Sequence, residues 1–267
     1  MAAADLMVLA LAVILEQINY IYLFADFLLI TPVCTVALVL RLASTEFSVW
    51  FTVAFTFDRY VAICCQNLQN RYSTEKTASV VIVTVAAAGC AKCVPFYFTV
   101  DPRRCVSTAE YLTSAAWRAY ELFDSITTPL LPFGLILLFN ALTVRQILAT
   151  NRVRQGLRSS RENQKDSEVE SRRKSIILLF ALSANFILLW LPYVVHSMNW
   201  QMVNYSYADR YFSTPIYALQ QFGFILQMLG TCTNTCIYGL TQRKFREELK
   251  NGMRYLFTLT WQFCIQA

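Results

Sequence analysis

The chain has 267 residues, of which 56% are hydrophobic and 15% are charged. Soluble domains usually carry about 25% charged residues, so this composition argues against a soluble globular protein. The net charge of +6 could suit nucleic-acid binding, but the basic residues are concentrated in polar stretches between long apolar blocks. This pattern is typical of a helical protein that crosses a membrane several times, with its basic stretches near anionic lipid headgroups.

Apolar blocks follow one another along most of the chain. A helix of about 20 apolar residues crosses the hydrocarbon core of a bilayer, and these blocks are too long and too continuous for the strands of a barrel. The blocks cover residues 1–18, 28–65, 78–98, 118–148, 175–198 and 213–240. Residues 242–257 repeat apolar side chains at helical spacing beside five basic residues. We therefore predict an all-α membrane protein with six transmembrane helices and a C-terminal amphipathic helix.

The distribution of basic residues predicts how these helices are oriented. Lys and Arg are enriched in the cytoplasmic loops of membrane proteins. The loop over 66–76 carries two basic residues, the stretch over 145–174 carries nine, and residues 242–257 carry five. The loop over 99–117, with an Arg-Arg pair, is the exception. The alternation places the first three of these segments in the cytoplasm.

Several short motifs occur in a fixed order across the chain. They are Cys34, DRY at 58–60, Cys105, a proline at 132, WLP at 190–192 and NTCIY at 234–238. In this order the chain resembles the rhodopsin-like (class A) G-protein-coupled receptors, with threonine replacing the proline of the last motif. Within that family, the VWFTVAFTFDRY and PFYF segments are most similar to the orphan group called probable G-protein-coupled receptor 139.

The resemblance implies a domain organisation. The family has seven membrane helices, and residues 1–18 resemble the second, so an N-terminally truncated chain without helix one is expected. Residues 1–257 would form the receptor bundle, with a cytoplasmic loop over 149–174, and residues 258–267 would form a tail. The resemblance also implies a disulfide between Cys34 and Cys105 in an oxidising extracellular region.

Two groups of residues are implied to carry the signal to a heterotrimeric G protein. The residues implied in G-protein coupling are Asp58, Arg59, Tyr60 and Tyr238. The residues implied in an activation switch are Phe186, Trp190, Pro192 and Asn234. An acid beside an arginine within an apolar block is costly unless the two pair, so Asp58 and Arg59 are expected to bond in one state and separate in another.

A polar cluster is expected near the middle of the membrane, and the resemblance implies that it binds sodium. Its members would be Asp5, Ser48 and Asn234, near Trp190 and Thr231. Carboxylate, hydroxyl and amide oxygens are hard ligands of the kind sodium prefers. Two alternatives remain open: a set of polar groups that satisfy one another without sodium, and a position of Asp5 at the membrane edge.

Charged residues in the outer half of the bundle are implied to surround a ligand cavity. The implied cavity residues are Arg41, Glu46, Lys92, Asp124, Tyr193, His196, Gln220 and Phe224. An unpaired charge in the membrane costs at least about 2.5 kcal/mol, so pairs are expected: Glu46 with Lys92, and Arg41 with Asp124 or a ligand carboxylate. A purely structural ion-pair network is the alternative. Amine receptors of the family carry an aspartate at the position of Arg41, which favours a ligand with a carboxylate.

The function implied is that of a receptor in the plasma membrane. It would transmit binding of a small extracellular ligand, such as an aromatic amino acid or a short peptide, to a heterotrimeric G protein. A non-signalling receptor fragment is an alternative, and a transporter is another, although no inverted repeat appears in the sequence. The sequence contains no P-loop, catalytic triad or metal-type cluster, so an enzyme is not expected. No cofactor is expected beyond the sodium ion.

Overall fold

The computed structural model describes most of the chain. It covers residues 2–11, 31–65, 68–69, 72–101, 107–156, 166–202 and 214–241, together with eight positions between 246 and 258. The prediction of an all-α membrane protein is confirmed, because the described residues form helices, short connections and one isolated bridge between Val100 and Ser107.

The helices are numbered here in chain order. They are α1 (Ala2–Val8), α2 (Thr31–Cys64), α3 (Glu75–Cys93), α4 (Ala109–Thr113), α5 (Ala115–Ser125), α6 (Leu131–Gly156), α7 (Asp166–Met202) and α8 (Thr214–Thr241). A 3-10 turn over Val94–Thr99 extends α3, and a π turn over Ile126–Leu130 joins α5 to α6. Among the described residues, four stretches are long and apolar enough to cross a membrane: Val33–Cys64, Glu75–Thr99, Ala115–Ala149 and Ile176–Asn199.

Hydroxyl side chains start three of these helices. The Thr74 side chain accepts a hydrogen bond from the Thr77 backbone and begins α3, where Glu75 lies in the positively polarised first turn. Thr108 caps α4 by accepting from the Tyr111 backbone, and Ser114 caps α5. Each cap satisfies a backbone N–H that the first turn of a helix leaves without a partner.

The centre of the bundle is an aromatic and aliphatic core. Buried Val49 and Val53 of α2 pack with Ile136 of α6 and with Phe186 and Trp190 of α7. In contrast, α3 leaves a row of large apolar side chains exposed, including Val80, Ile82 and Val83. Exposed apolar rows of this kind face lipid in a membrane helix.

The long polar loop predicted over 149–174 is partly helical. Helix α6 continues to Gly156 and α7 begins at Asp166, so both helices extend into the predicted loop, and residues 157–165 lie outside the described residues. Hydropathy marks where a helix leaves the membrane and not where its backbone hydrogen bonds end. In the predicted amphipathic helix, residues 246–247, 250–252 and 254–255 are helical, and Arg246, Lys250 and Arg254 are exposed.

Candidate functional site

An ion cluster joins three helices in the outer half of the bundle. The Lys92 ammonium of α3 bonds to the Glu46 carboxylate of α2 and lies 2.9 Å from a carboxylate oxygen of Asp124 in α5. It also donates to the Thr128 hydroxyl at 3.0 Å. Side-chain exposure is 12% for Lys92 and 6% for Glu46, so their bond lies within the protein. Two carboxylates and one ammonium leave the cluster with one net negative charge.

The structure confirms one predicted ion pair and adds another. Glu46 pairs with Lys92, as predicted. Asp124 also bonds to Lys92, and the pairing of Arg41 with Asp124 or with a ligand carboxylate stays a prediction. Tyr120 provides the physical reason for the bond between Asp124 and Lys92: it lies one turn before Asp124 and donates its hydroxyl to the Lys92 backbone carbonyl, which holds α5 against α3.

Aromatic side chains lie beside the remaining cavity residues. The Arg41 guanidinium is 5.7 Å from the centre of the Phe224 ring, at a distance suited to a cation–π contact. Tyr193 meets Trp190 edge to face, with ring centres 5.9 Å apart. His196 is buried and Gln220 is exposed, and the place of both in a ligand cavity stays a prediction.

Sequence reasoning missed a second carboxylate on the same helix. Glu121 of α5 accepts a hydrogen bond from the Tyr111 hydroxyl of α4. Tyr111 in turn meets Trp117 edge to face, with ring centres 5.7 Å apart. Glu121 could have been found from its spacing, because residues three apart on a helix share a face and Asp124 was already a candidate.

The predicted switch residues on α7 lie together in the core. Phe186 and Trp190 are buried, with ring centres 5.3 Å apart, and Phe133 of α6 meets Phe186 edge to face at 5.4 Å. Pro192 lies inside α7, where its ring interrupts the backbone hydrogen bonds. Asn234 of α8 is buried and bonds to Asn185 of α7.

The predicted polar cluster is partly assembled. Ser48 donates its hydroxyl to Asp5, whose side chain is completely buried. The other Asp5 carboxylate oxygen is buried and has no hydrogen-bond partner among the described residues. Thr231 and Asn234 are also buried, but Thr231 bonds to the Gln227 carbonyl of its own helix. A buried carboxylate with one free oxygen beside a hydroxyl fits a hard cation such as sodium.

The DRY segment forms an ion pair at the end of α2 that is predicted to face the cytoplasm. A guanidinium nitrogen of Arg59 lies 2.6 Å from one Asp58 oxygen, and the Ser73 hydroxyl donates to the other at 2.9 Å. Tyr60 stacks on Phe139 of α6, with ring centres 5.9 Å apart. Tyr238 lies in α8, but its side chain is outside the described residues.

Tyr72 follows this segment in the loop before α3. Its pKa is raised above the ordinary value of 10.0, first by burial and then by the nearby Asp58 carboxylate. The Tyr72 hydroxyl therefore stays protonated at physiological pH. Its ring meets Phe57 edge to face at 5.1 Å, which links the loop to the inner end of α2.

Cysteine chemistry agrees with part of the disulfide prediction. Cys34 takes part in a disulfide bond. The free cysteines among the described residues are Cys64, Cys65, Cys90, Cys93, Cys232 and Cys236. Cys105 lies outside the described residues, so its pairing with Cys34 stays a prediction.

Comparison with known proteins identifies the family. Residues 1–238 match the family described as "7 transmembrane receptor (rhodopsin family)". The chain belongs to this family. The members of this family are multi-pass membrane receptors and not enzymes.

Several curated receptors are similar to this rhodopsin-family chain. The Tachykinin-like peptides receptor 86C of Drosophila melanogaster is 26% identical over 231 residues, which are 80% of this chain and 43% of that protein. The Neurotensin receptor type 1 of Mus musculus is 23% identical over 279 residues, covering 92% of this chain and 64% of that receptor. The B2 bradykinin receptor of Oryctolagus cuniculus is 22% identical over 141 residues, covering 51% and 36%. The chain thus spans less than two thirds of the length of each of these relatives.

Proposed function

We propose that this receptor binds an extracellular ligand in the outer half of its bundle and transmits that binding to a heterotrimeric G protein at the plasma membrane. Binding would shift the population towards a state in which the cytoplasmic end of α7 has moved outward. Asp58, Arg59, Tyr60 and Tyr238 would lie at the cleft that this movement opens. Phe186, Trp190 and Pro192 would relay the change from the cavity.

The Asp58–Arg59 ion pair is the observation that carries this proposal. Both side chains of the pair are about one-third exposed, 34% for Arg59 and 28% for Asp58. Exposed pairs contribute only about 0.2–1 kcal/mol, so a competing partner could displace Asp58 from Arg59. The basic segments nearby predict that this end of α2 faces the cytoplasm, because Lys and Arg are enriched in cytoplasmic loops.

Arg41 and its aromatic neighbours favour a ligand that carries a carboxylate. Arg41 is a fixed positive charge beside the Phe224 ring, and Tyr193 and Trp190 supply aromatic surface. An aromatic amino acid, or a short peptide ending in one, matches this combination of charge and rings. The named relatives include a receptor for tachykinin-like peptides, which favours the peptide. The similarity to the orphan group noted from the sequence remains part of this proposal.

We further propose that Asp5 and Ser48 hold a sodium ion in the ligand-free state. The free, buried oxygen of Asp5 supports this assignment. When bound, the ion would supply positive charge to a carboxylate that otherwise lies uncompensated in the membrane. Ser48 would orient that carboxylate, and Asn234 would lie nearby on α8.

The test is agonist-dependent nucleotide exchange on purified G protein. The full chain is placed in lipid nanodiscs and screened with aromatic amino acids and short peptides. An active ligand should accelerate exchange, and Arg59→Ala should abolish that acceleration while ligand binding persists. Arg254→Ala is the matched control, because it removes an exposed basic residue near the same membrane face.

Surface labelling on intact cells accompanies this assay. A receptor that reaches the surface and binds a ligand but never accelerates exchange with any G protein would contradict the proposal. A chain that is retained inside the cell would support the alternative of a non-signalling fragment.

A further inference from the structure

The side-chain amide of Asn185 in α7 makes its hydrogen bonds to the neighbouring helix α8. Its nitrogen donates to the Asn234 side-chain oxygen at 3.1 Å and to the Gly230 carbonyl at 3.4 Å. Its oxygen accepts from the Thr233 hydroxyl at 2.8 Å. Residues 233 and 234 follow residue 230 by about one helical turn, so all three lie on one face of α8. A single side chain of α7 therefore bonds to one turn of α8.

Breaking these hydrogen bonds would be costly at this position. Asn185 is half-buried in the apolar run FALSANFILLW, in which Ser183 and Phe186 are buried. A primary amide that loses its partners inside a membrane has no bulk water to replace them. To bond to α7 instead, the Asn185 side chain would have to adopt a different conformation. The amide thus favours the arrangement in which α7 and α8 stay together at this level.

The two helices approach closely at a second level, nearer the extracellular side. A Cβ atom added to Gly223 of α8 would lie only 2.9 Å from the Tyr193 backbone nitrogen of α7. Tyr193 is about two turns from Asn185 along α7. Backbones this close leave little room for sliding, so the Gly223 contact is suited to act as a pivot. Movement of the inner half of α7 about that pivot would be opposed by Asn185.

We infer that Asn185 is a positioning residue that latches α7 to α8 in the resting receptor. The latch consists of Asn185, Gly230, Thr233 and Asn234. Outward movement of the inner end of α7 requires that these bonds break, which also releases the Asn234 side chain. The strength of the latch would set how often the receptor activates without ligand. This role rests on the proposed function, because it concerns the same movement of α7.

The test uses Asn185→Leu in the full chain, because leucine keeps a similar volume and suits the membrane. Spin labels at Ile177→Cys on α7 and Val80→Cys on α3, both exposed positions near the cytoplasmic end, report the separation of the two helices. The background carries serine at the reactive free cysteines. Ligand-free nucleotide exchange is measured in parallel. Thr233→Val, which removes one of the bonds, is the second variant should Asn185→Leu fail to fold.

Ser183→Ala is the matched control. Ser183 is buried two positions earlier on α7, but its hydroxyl bonds to the Leu179 carbonyl of its own helix. Without ligand, Asn185→Leu should shift the label distances to longer values and raise exchange about fivefold, within the usual range of coupling between sites. Thr233→Val should give a smaller shift in the same direction, and Ser183→Ala should leave both readouts unchanged.

The two readouts separate this inference from the proposed function. Longer distances without any exchange would support the latch and contradict G-protein coupling. Unchanged distances in folded Asn185→Leu or Thr233→Val receptor would overturn the latch, whatever the exchange rate. A merely structural role would lower stability without lengthening the distances, and this result would also overturn it.

Discussion

The Lys92 ammonium lies 2.9 Å from an Asp124 carboxylate oxygen and thereby ties α3 to α5 across the outer half of the bundle. The same ammonium bonds to Glu46 of α2. One cation thus holds three helices and compensates two acids that would otherwise repel each other. Four experiments test this ion cluster, the proposed sodium site, the Asp58–Arg59 pair and the close approach at Gly223.

Removing the central cation should destabilise the receptor. Lys92→Met leaves Glu46 and Asp124 without their shared partner, and breaking a buried ion pair typically costs about 3–5 kcal/mol. We expect a clearly lower midpoint of thermal unfolding in detergent. Lys250→Met, at an exposed position of the C-terminal segment, is the control and should leave the midpoint unchanged. The triple variant with Glu46→Gln and Asp124→Asn should recover part of the loss; a Lys92→Met receptor as stable as wild type would contradict this account.

Sodium should stabilise the receptor through Asp5. Replacing choline by sodium in the buffer is expected to raise the unfolding midpoint of wild type, because an ion that binds only the folded state stabilises it by mass action. Asp5→Asn and Ser48→Ala should weaken or abolish that rise. Ser44→Ala is the control on α2, since the buried Ser44 hydroxyl bonds to the Leu40 carbonyl one turn away. A sodium effect that survives Asp5→Asn would show that the ion binds elsewhere.

Neutralising Asp58 should raise ligand-free signalling. Asp58→Asn removes the charge that holds Arg59 at 2.6 Å, and an exposed pair of this kind is worth about 0.2–1 kcal/mol, or up to about a fivefold change in population. We expect basal nucleotide exchange to rise by about that factor. Ser73→Ala, which removes the second hydrogen bond to Asp58, should produce a smaller rise. Glu75→Gln serves as control on the exposed first turn of α3, and equal basal rates in Asp58→Asn and wild type would count against the ion pair as a restraint.

Enlarging Gly223 should disturb the contact between α7 and α8. A valine there places Cβ within 2.9 Å of the Tyr193 backbone nitrogen, so the backbones must move apart. Overpacking of this kind costs about 1–3 kcal/mol, which chemical or thermal unfolding would reveal. Gly134→Val is the control, because a Cβ at Gly134 meets nothing within 4 Å. Equal stability losses in the two variants would mean that glycine acts through chain flexibility and not through the close approach.

The class of fold and the set of charged groups could both be predicted from the amino-acid sequence. Long apolar runs can satisfy their backbone hydrogen bonds within a membrane only as helices or closed barrels, so length and continuity were enough to predict helices. The high cost of an unpaired charge in the membrane predicted that the charged residues would pair, and the family resemblance suggested Lys92 as the partner of Glu46. The fold class and the need for pairing follow from local properties of the sequence, but the choice of partner does not.

Which side chains meet depends on how the helices pack. Asp124 bonds to Lys92 because the relative rotation of α3 and α5, held by Tyr120, sets which side chains face each other. Asn185 lies in an apolar run, and its partners on α8 lie more than 40 positions away in the chain, so sequence spacing gave no sign of these bonds. Hydropathy carries no record of helix rotation or of contact between distant segments. Those depend on how whole helices pack, and the hydrogen bonds of single side chains follow from that packing.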